Sequence, residues 1–334
     1  MLKYIFRRTL LMIPVVLIIS TIVFWIIQLP PGDYVSNYAR QLADEGEQLS
    51  AADQQALRER FGLDQPWYIR YLGWLWGIIS RGDFGYSFAY SQPVLDVIEQ
   101  YMVMTLVVAI ASMLFTYLVA IPIGVYSAVK QYSLGDYVFT TVGFLGMATP
   151  NFLLALILMY LAYSWTGSPM LGLQSPEFRG AEWSLARIGD LLKHMIIPIV
   201  VIGTASTCEL IRVMRGQMLD ELNKPNVVTA RAKGVKESTI LRKYPLRAAI
   251  NPIVSTLGWS LTAIFTGSTI TAIVLNLPTQ GPVMLDALLA QDMYLAGTWL
   301  LFMAVLTVIG TLISDILLAW LDPRIRHERN GASA

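Results

Sequence analysis

The stretch Val103-Met104-Thr105-Leu106-Val107-Val108-Ala109-Ile110-Ala111-Ser112-Met113-Leu114-Phe115-Thr116-Tyr117-Leu118-Val119-Ala120-Ile121-Pro122-Ile123-Gly124-Val125-Tyr126-Ser127-Ala128 carries no charged side chain. About 20 mostly apolar residues are enough for a helix to cross the hydrocarbon core of a bilayer. In lipid every backbone polar group must be satisfied within the protein, which leaves helices and closed barrels. The run has none of the in–out alternation of a barrel strand, so it reads as a helix. Five further runs of the same kind cover residues 10–29, 137–165, 192–214, 250–275 and 296–320. The expected fold is therefore all-α: a polytopic membrane protein with six transmembrane helices.

Composition agrees. Of 334 residues, 55% are hydrophobic and 14% charged, and the mean hydropathy is +0.55. Soluble proteins carry about 25% charged residues. The deficit excludes a disordered chain, a secreted disulfide framework and an ordinary cytosolic enzyme. With one cysteine, Cys208, and two histidines, His194 and His327, neither a thiolate cluster nor a multi-histidine metal site is expected.

Six spans put both termini on one side. That side holds Lys3, Arg7, Arg8, Lys130, a basic stretch from Arg212 to Arg247, and Arg324, Arg326 and Arg329, two thirds of all lysines and arginines. The richer side is expected to be cytoplasmic. The near-neutral net charge of +1 is then a cancellation between a basic inner and an acidic outer face. The first run is too long for a signal-peptide core and ends in Gln28-Leu29-Pro30-Pro31-Gly32, so it reads as a retained span. The resulting division is a cytoplasmic N-terminus (1–9), a first span (10–29), an external segment (30–102) and a five-helix core (103–334) with a cytoplasmic loop at 215–249. In the external segment Ser50 is placed to cap a helix through Phe61. Trp67, Tyr68, Tyr71, Trp74 and Trp76 form an aromatic cluster, read either as a belt at headgroup depth or as a docking surface.

Within the 215–249 loop, Thr229-Ala230-Arg231-Ala232-Lys233-Gly234-Val235 reads as a short small-residue helix ended by a glycine. Gly234 suits the left-handed position after a helix, and Lys233 suits its last turn. Small side chains at Ala230 and Ala232 allow close approach by another body. A second helical stretch starts near Lys236-Glu237-Ser238. On these residues alone, a handle for a partner and a plain basic loop are equally good readings.

Thr229–Val235 resembles the cytoplasmic loop of permease subunits of ABC importers. The likeness extends along the chain and is nearest the dipeptide/oligopeptide/nickel branch. It is carried by Tyr4-Ile5-Phe6-Arg7-Arg8, Pro30-Pro31-Gly32-Asp33, Gly62-Leu63-Asp64-Gln65-Pro66, Gly82-Asp83-Phe84-Gly85-Tyr86-Ser87, Ala148-Thr149-Pro150-Asn151-Phe152, Gln291-Asp292 and Leu321-Asp322-Pro323-Arg324, in that order. The resemblance implies a permease subunit forming half of a pathway for peptides or similar small polar solutes, with nickel and oligosaccharides as alternatives. It implies that Thr229, Ala230, Arg231, Ala232, Lys233, Gly234 and Val235 couple to an ATPase. It also implies the partners: a second homologous permease, two cytoplasmic ATPases that hold ATP and Mg, and an external or periplasmic solute-binding protein, in the cytoplasmic (inner) membrane of a bacterium or archaeon.

The chain has no Gly-x-x-x-x-Gly-Lys-Ser/Thr loop, no His-Glu-x-x-His and no Gly-x-Ser-x-Gly elbow. It is not expected to be an enzyme, to hold a cofactor or metal, or to bind nucleic acid. Ionisable groups inside spans are functional candidates by default. Glu209 and Arg212, spaced to meet on one helix face, are read as a local ion pair or a gate. Asp315 is read as pairing with Arg324 or Arg326, His194 as interfacial and Cys208 as a small packing residue. Pro150-Asn151 interrupts the third run and is the candidate hinge. A stand-alone secondary transporter or channel is the rival class; it needs inverted repeats and midplane ion ligands, which the sequence does not display.

Overall fold

A computed structural model describes residues 2–168 and 170–321. The chain is almost entirely helical. In order come α1 (Leu2–Ile27), α2 (Tyr34–Asp44), α3 (Ala51–Phe61), α4 (Trp67–Arg81), strands β1 (Tyr86–Ser87) and β2 (Gln92–Pro93), and α5 (Val94–Val129). Then follow α6 (Leu134–Ala148), α7 (Asn151–Thr166), a 3₁₀ turn (Pro176–Phe178) and α8 (Leu185–Leu222). The chain continues through α9 (Pro225–Ala232), α10 (Glu237–Lys243), α11 (Pro245–Gly267), α12 (Thr269–Val274), α13 (Gln280–Leu289) and α14 (Met293–Leu321). The antiparallel β1–β2 hairpin, with Ser87 opposite Gln92, is the one departure from all-α among the described residues.

The hydropathy runs mark the apolar middles of longer helices. α5, α8 and the Met293–Leu318 part of α14 are each long and apolar enough to cross a membrane. α8 has 38 residues, about 57 Å of helix at 1.5 Å per residue. That exceeds the roughly 30 Å hydrocarbon core, so α8 must project from it. The 215–249 loop accordingly begins inside α8 and ends inside α11. The first helix starts at Leu2 rather than residue 10, so residues 2–9 are helical, and its apolar stretch is the shorter Met12–Ile27.

The third run is not one straight helix. It is two helices, α6 and α7, bent by 107°. Thr149 between them is extended (φ −86°, ψ 121°). Pro150 disfavours helical backbone at the residue before it and has no N–H to donate. The fifth run is likewise divided, into α11 and α12.

Two compact units can be described separately, their boundaries falling within α5, just before α13 and within α14. The first contains α1 to α4, the hairpin, α5 up to Thr105, and Thr279–Leu306. Its core joins Phe24, Tyr71, Trp74, Phe88, Val94 and Trp299. Tyr71 and Trp74 thus belong to the core, while Tyr68 and Trp76 stay exposed, which splits the aromatic cluster of the sequence. The Tyr71 hydroxyl is 2.8 Å from Ser20 Oγ, which ties α4 to α1. Buried Asp292 accepts from the Ser87 hydroxyl (2.6 Å) and the Ala89 N–H (3.1 Å), pinning the hairpin to the start of α14. It also accepts from the Leu295 N–H as the cap of that helix.

The second unit holds the remainder of α5, α6 to α12, and α14 from Thr307. Lipid is as apolar as a leucine side chain, so helices in it cohere by close packing rather than by escape from water. Small residues supply the approach. A Cβ on Gly124 would lie 2.6 Å from Met214 Cβ, and one on Gly203 2.7 Å from Phe115. At Gly258 it would lie 2.5 Å from the Thr311 backbone, so α11 and α14 touch main chain to main chain there.

Candidate functional site

The end of α8 leads through Asn223 and Lys224 into α9. Pro225 opens α9 at a position where a missing N–H costs nothing. Val227 and Ala230, one turn apart, are buried against Ile240 of α10, with Tyr244 alongside. α9 ends as the sequence predicts. Gly234 has φ +73°, its N–H donates to Arg231 O (2.9 Å), and the Val235 N–H donates to Ala230 O (3.2 Å). This is a Schellman closure, and it satisfies carbonyls that the helix end would leave open. α10 follows from Glu237. It stops at Tyr244 because Pro245 starts α11.

Across the turn, Arg231 grips Glu237 with Nη2 to Oε1 at 2.7 Å and Nε to Oε2 at 3.1 Å. These hydrogen bonds hold the Glu237 carboxyl below and the Arg231 guanidinium above their ordinary ranges. Both groups are largely exposed, so the pair orients the turn more than it stabilises it. Together α9, the glycine turn and α10 form one small hairpin of helices around Val227, Ala230 and Ile240.

What this hairpin presents outward differs in one respect from the sequence reading. Ala230 is buried inside it and is not free for another body. Val228 (54% exposed), Thr229, Ala232, Lys233 and Val235 (40%) face out instead. Helical spacing had set Val227 and Ala230 on one face; which face turns inward depends on Ile240, which only the folded hairpin brings near. The outer face is small and partly apolar, with Lys233 at its rim.

Glu209 and Arg212 are both exposed, and no ion pair joins them. The pair that does form was missed. Arg215 on α8 donates to both oxygens of buried Asp136 on α6, Nε to Oδ1 and Nη2 to Oδ2, each at 3.0 Å. Asp136 also accepts from the Tyr132 N–H (3.0 Å) and the Thr140 hydroxyl (3.4 Å). The available signal was Ser133-x-x-Asp136, a helix-start pattern with Ser133 as cap.

Pro150 and Asn151 lie at the α6–α7 break, Asn151 being the first residue of α7. Beside the break is an apolar cavity of about 400 Å³ bordered by α5, α6, α7 and α8, with Thr149 and Cys208 in its wall. Cys208 is buried, and a Cβ on Gly146 would lie 2.9 Å from its Sγ. His194 is buried within the protein, its Nδ1 2.9 Å from Asp190 O. Arg324 and Arg326, expected beside Asp315, lie outside the described residues, as does the Asp322-Pro323-Arg324 motif.

Two family models together match most of the chain. Residues 1–110 match the N-terminal model of binding-protein-dependent transport system membrane components. Residues 120–327 match the binding-protein-dependent transport system inner membrane component, and that span includes the α9–α10 hairpin. The chain belongs to this family. The permease is 36% identical to the oligopeptide transport system permease protein AppB of Bacillus subtilis (strain 168), over 98% of this chain and 100% of that one. It is 30% identical to the dipeptide transport system permease protein DppB of Escherichia coli (strain K12), with 98% and 100% covered. It is also 30% identical to the oligopeptide transport system permease protein OppB of Haemophilus influenzae (strain ATCC 51907 / DSM 11121 / KW20 / Rd), with the same coverage. The chain is thus a permease subunit of an ABC importer and a multi-pass membrane component.

Proposed function

We propose that this permease forms half of a peptide pathway and that the α9–α10 hairpin is the seat of a cytoplasmic ATPase. The observation that carries the reading is the hairpin itself. It is a self-contained module with its own small core and a rigid glycine closure, its small-residue face free, at the end of a helix longer than a bilayer is thick.

In this reading six spans are formed by α1, α5, the bent α6–α7 pair, α8, α11 with α12, and α14. Both termini are cytoplasmic, and residues 30–102 lie outside, where a solute-binding protein docks. A second, homologous permease completes the pathway, and two ATPases hold ATP and Mg. Closure of the ATPases displaces α9 and, through it, α8 and α11. The cavity between the two permeases then opens to each side in turn. Peptides are the solute because the relatives that match the whole chain are named as oligopeptide and dipeptide permeases.

Gly234 gives the direct test. A Cβ there meets nothing within 4 Å, so a substitution acts through the backbone alone. At φ +73° a β-branched residue is strained by roughly 1–3 kcal/mol, whereas asparagine tolerates this region. Reconstituted with its partners, Gly234→Val is expected to lose uptake of tritiated tri-alanine while ATP hydrolysis continues, and Gly234→Asn to keep most uptake. Normal uptake by Gly234→Val would contradict the assignment.

A further inference from the structure

We propose that the Asp136–Arg215 pair is a strut that makes α6 follow the end of α8, carrying displacement of α9 to the bend in the α6–α7 pair. The proposal rests on the reading of the α9–α10 hairpin as the ATPase seat.

The geometry is that of a rigid link. A guanidinium bound through two nitrogens to two carboxylate oxygens fixes direction as well as distance. The carboxylate end cannot swing, because Asp136 is buried and also accepts from the Tyr132 N–H and the Thr140 hydroxyl. Tyr132 holds φ +64° in the turn before α6, a conformation non-glycine residues rarely adopt. That turn is therefore shaped to present its N–H to Asp136. Gly135 lets α6 close on Tyr126, since a Cβ there would lie 2.5 Å from the hydroxyl oxygen.

Position supplies the function. Arg215 sits about two turns before the end of α8, from which α9 hangs. At its other end α6 is held to α8 again, where Gly146 lies against Thr204 and Cys208. One turn beyond comes the extended Thr149 and the bend into α7, in the wall of the apolar cavity. α6 is thus fastened to α8 near both of its ends, by an ion pair on the α9 side and by close packing on the bend side. Pulling Arg215 away leaves the buried Asp136 carboxylate uncompensated, so the link does not slip at low cost. By contrast, the Lys224–Glu221 and Arg231–Glu237 pairs each involve an exposed partner and span only a few residues.

The test uses the assembled importer in proteoliposomes, with tritiated tri-alanine as the probe. Asp136→Asn is expected to keep ATP hydrolysis within about twofold of the parent and to lower uptake ~10-fold, within the range typical of coupling between sites. Arg215→Lys, which keeps the charge and loses the fork, is expected to fall between. A second readout needs no solute. In a Cys208→Ser background, spin labels at Val142→Cys on α6 and Asp220→Cys on α8 are expected to give one distance with or without ATP. Adding Asp136→Asn is expected to introduce a second distance when ATP binds. Equal loss of hydrolysis and uptake in both Asp136→Asn and Arg215→Lys would show mere structural support and overturn the proposal. So would a single unchanged distance in Asp136→Asn. Uncoupling by Gly234→Val with normal uptake in Asp136→Asn would remove the strut alone; normal uptake in Gly234→Val would remove the seat and the strut's driver together.

Discussion

Gly258 and Gly234 both resist substitution, for opposite reasons. Gly234 has open space around it and a backbone angle that only glycine takes easily. Gly258 has ordinary helical backbone and no space, because its neighbours are the main-chain atoms of Gly310 and Thr311. No side chain can move aside there. Gly258→Ala is therefore expected to destabilise by about 1–3 kcal/mol, read as a lowered Tm of the detergent-solubilised importer. Gly267→Ala, where a Cβ meets nothing within 4 Å, is the control and is expected to leave Tm unchanged or slightly raised. An equal fall in both would mean that the α11–α14 contact is not made. Of the two glycines only Gly234 was legible in the sequence, because a glycine closing a helix has a local pattern. A glycine at a helix crossing has its cause on another helix. Lys233 stands one place on from its expected position, as the C-cap of α9 rather than in its last turn, and the burial of Ala230 is decided by Ile240 ten residues on.

The helices follow the sequence where a local rule operates. Ser50 caps α3 with its hydroxyl 3.1 Å from the Asp53 N–H, and α10 begins where expected. They depart from it where hydropathy was the only guide, since hydropathy marks the part of a helix that suits lipid and not the turns beyond. α5 and α8 are both longer than their apolar runs for that reason. At the α6–α7 pair hydropathy ran through a proline that the backbone could not follow. The segment between α1 and α4 shows a polar link of the same economy. Asp33 caps α2 through the Ser36 N–H and also takes Nε of Arg58 on α3 at 2.7 Å. Partial burial works against its ionisation, but the hydrogen bonds from Arg58 and Ser36 outweigh this and hold the carboxyl below its ordinary 3.8. A carboxylate whose pKa is lowered by folding stabilises above its unfolded value, and the contribution is lost as pH falls through the folded one. Amide protection of α2 and α3 is thus expected to drop as the pH is taken below 3.8, and the Asp33→Asn protein to lack that step. A step of the same size in Asp33→Asn would assign the pH dependence to other groups.

At the scale of the molecule, the membrane class and the importer family were readable from the chain alone, because composition and the order of many short motifs are properties of the whole sequence. The Asp136–Arg215 link was not readable, since its partners are far apart in sequence and each looked like one more charge on the basic side. The account as a whole depends on the α9–α10 hairpin meeting an ATPase in the cytoplasm. The exposed face of α9 allows this to be measured directly. In a Cys208→Ser background, Ala232→Cys carrying a benzophenone maleimide is illuminated in vesicles of the assembled importer, with and without ATP. The account predicts a cross-link to the ATPase subunit whose yield changes with nucleotide. Cross-linking to lipid alone, or reaction of Ala232→Cys with a membrane-impermeant maleimide from the external face, would contradict it.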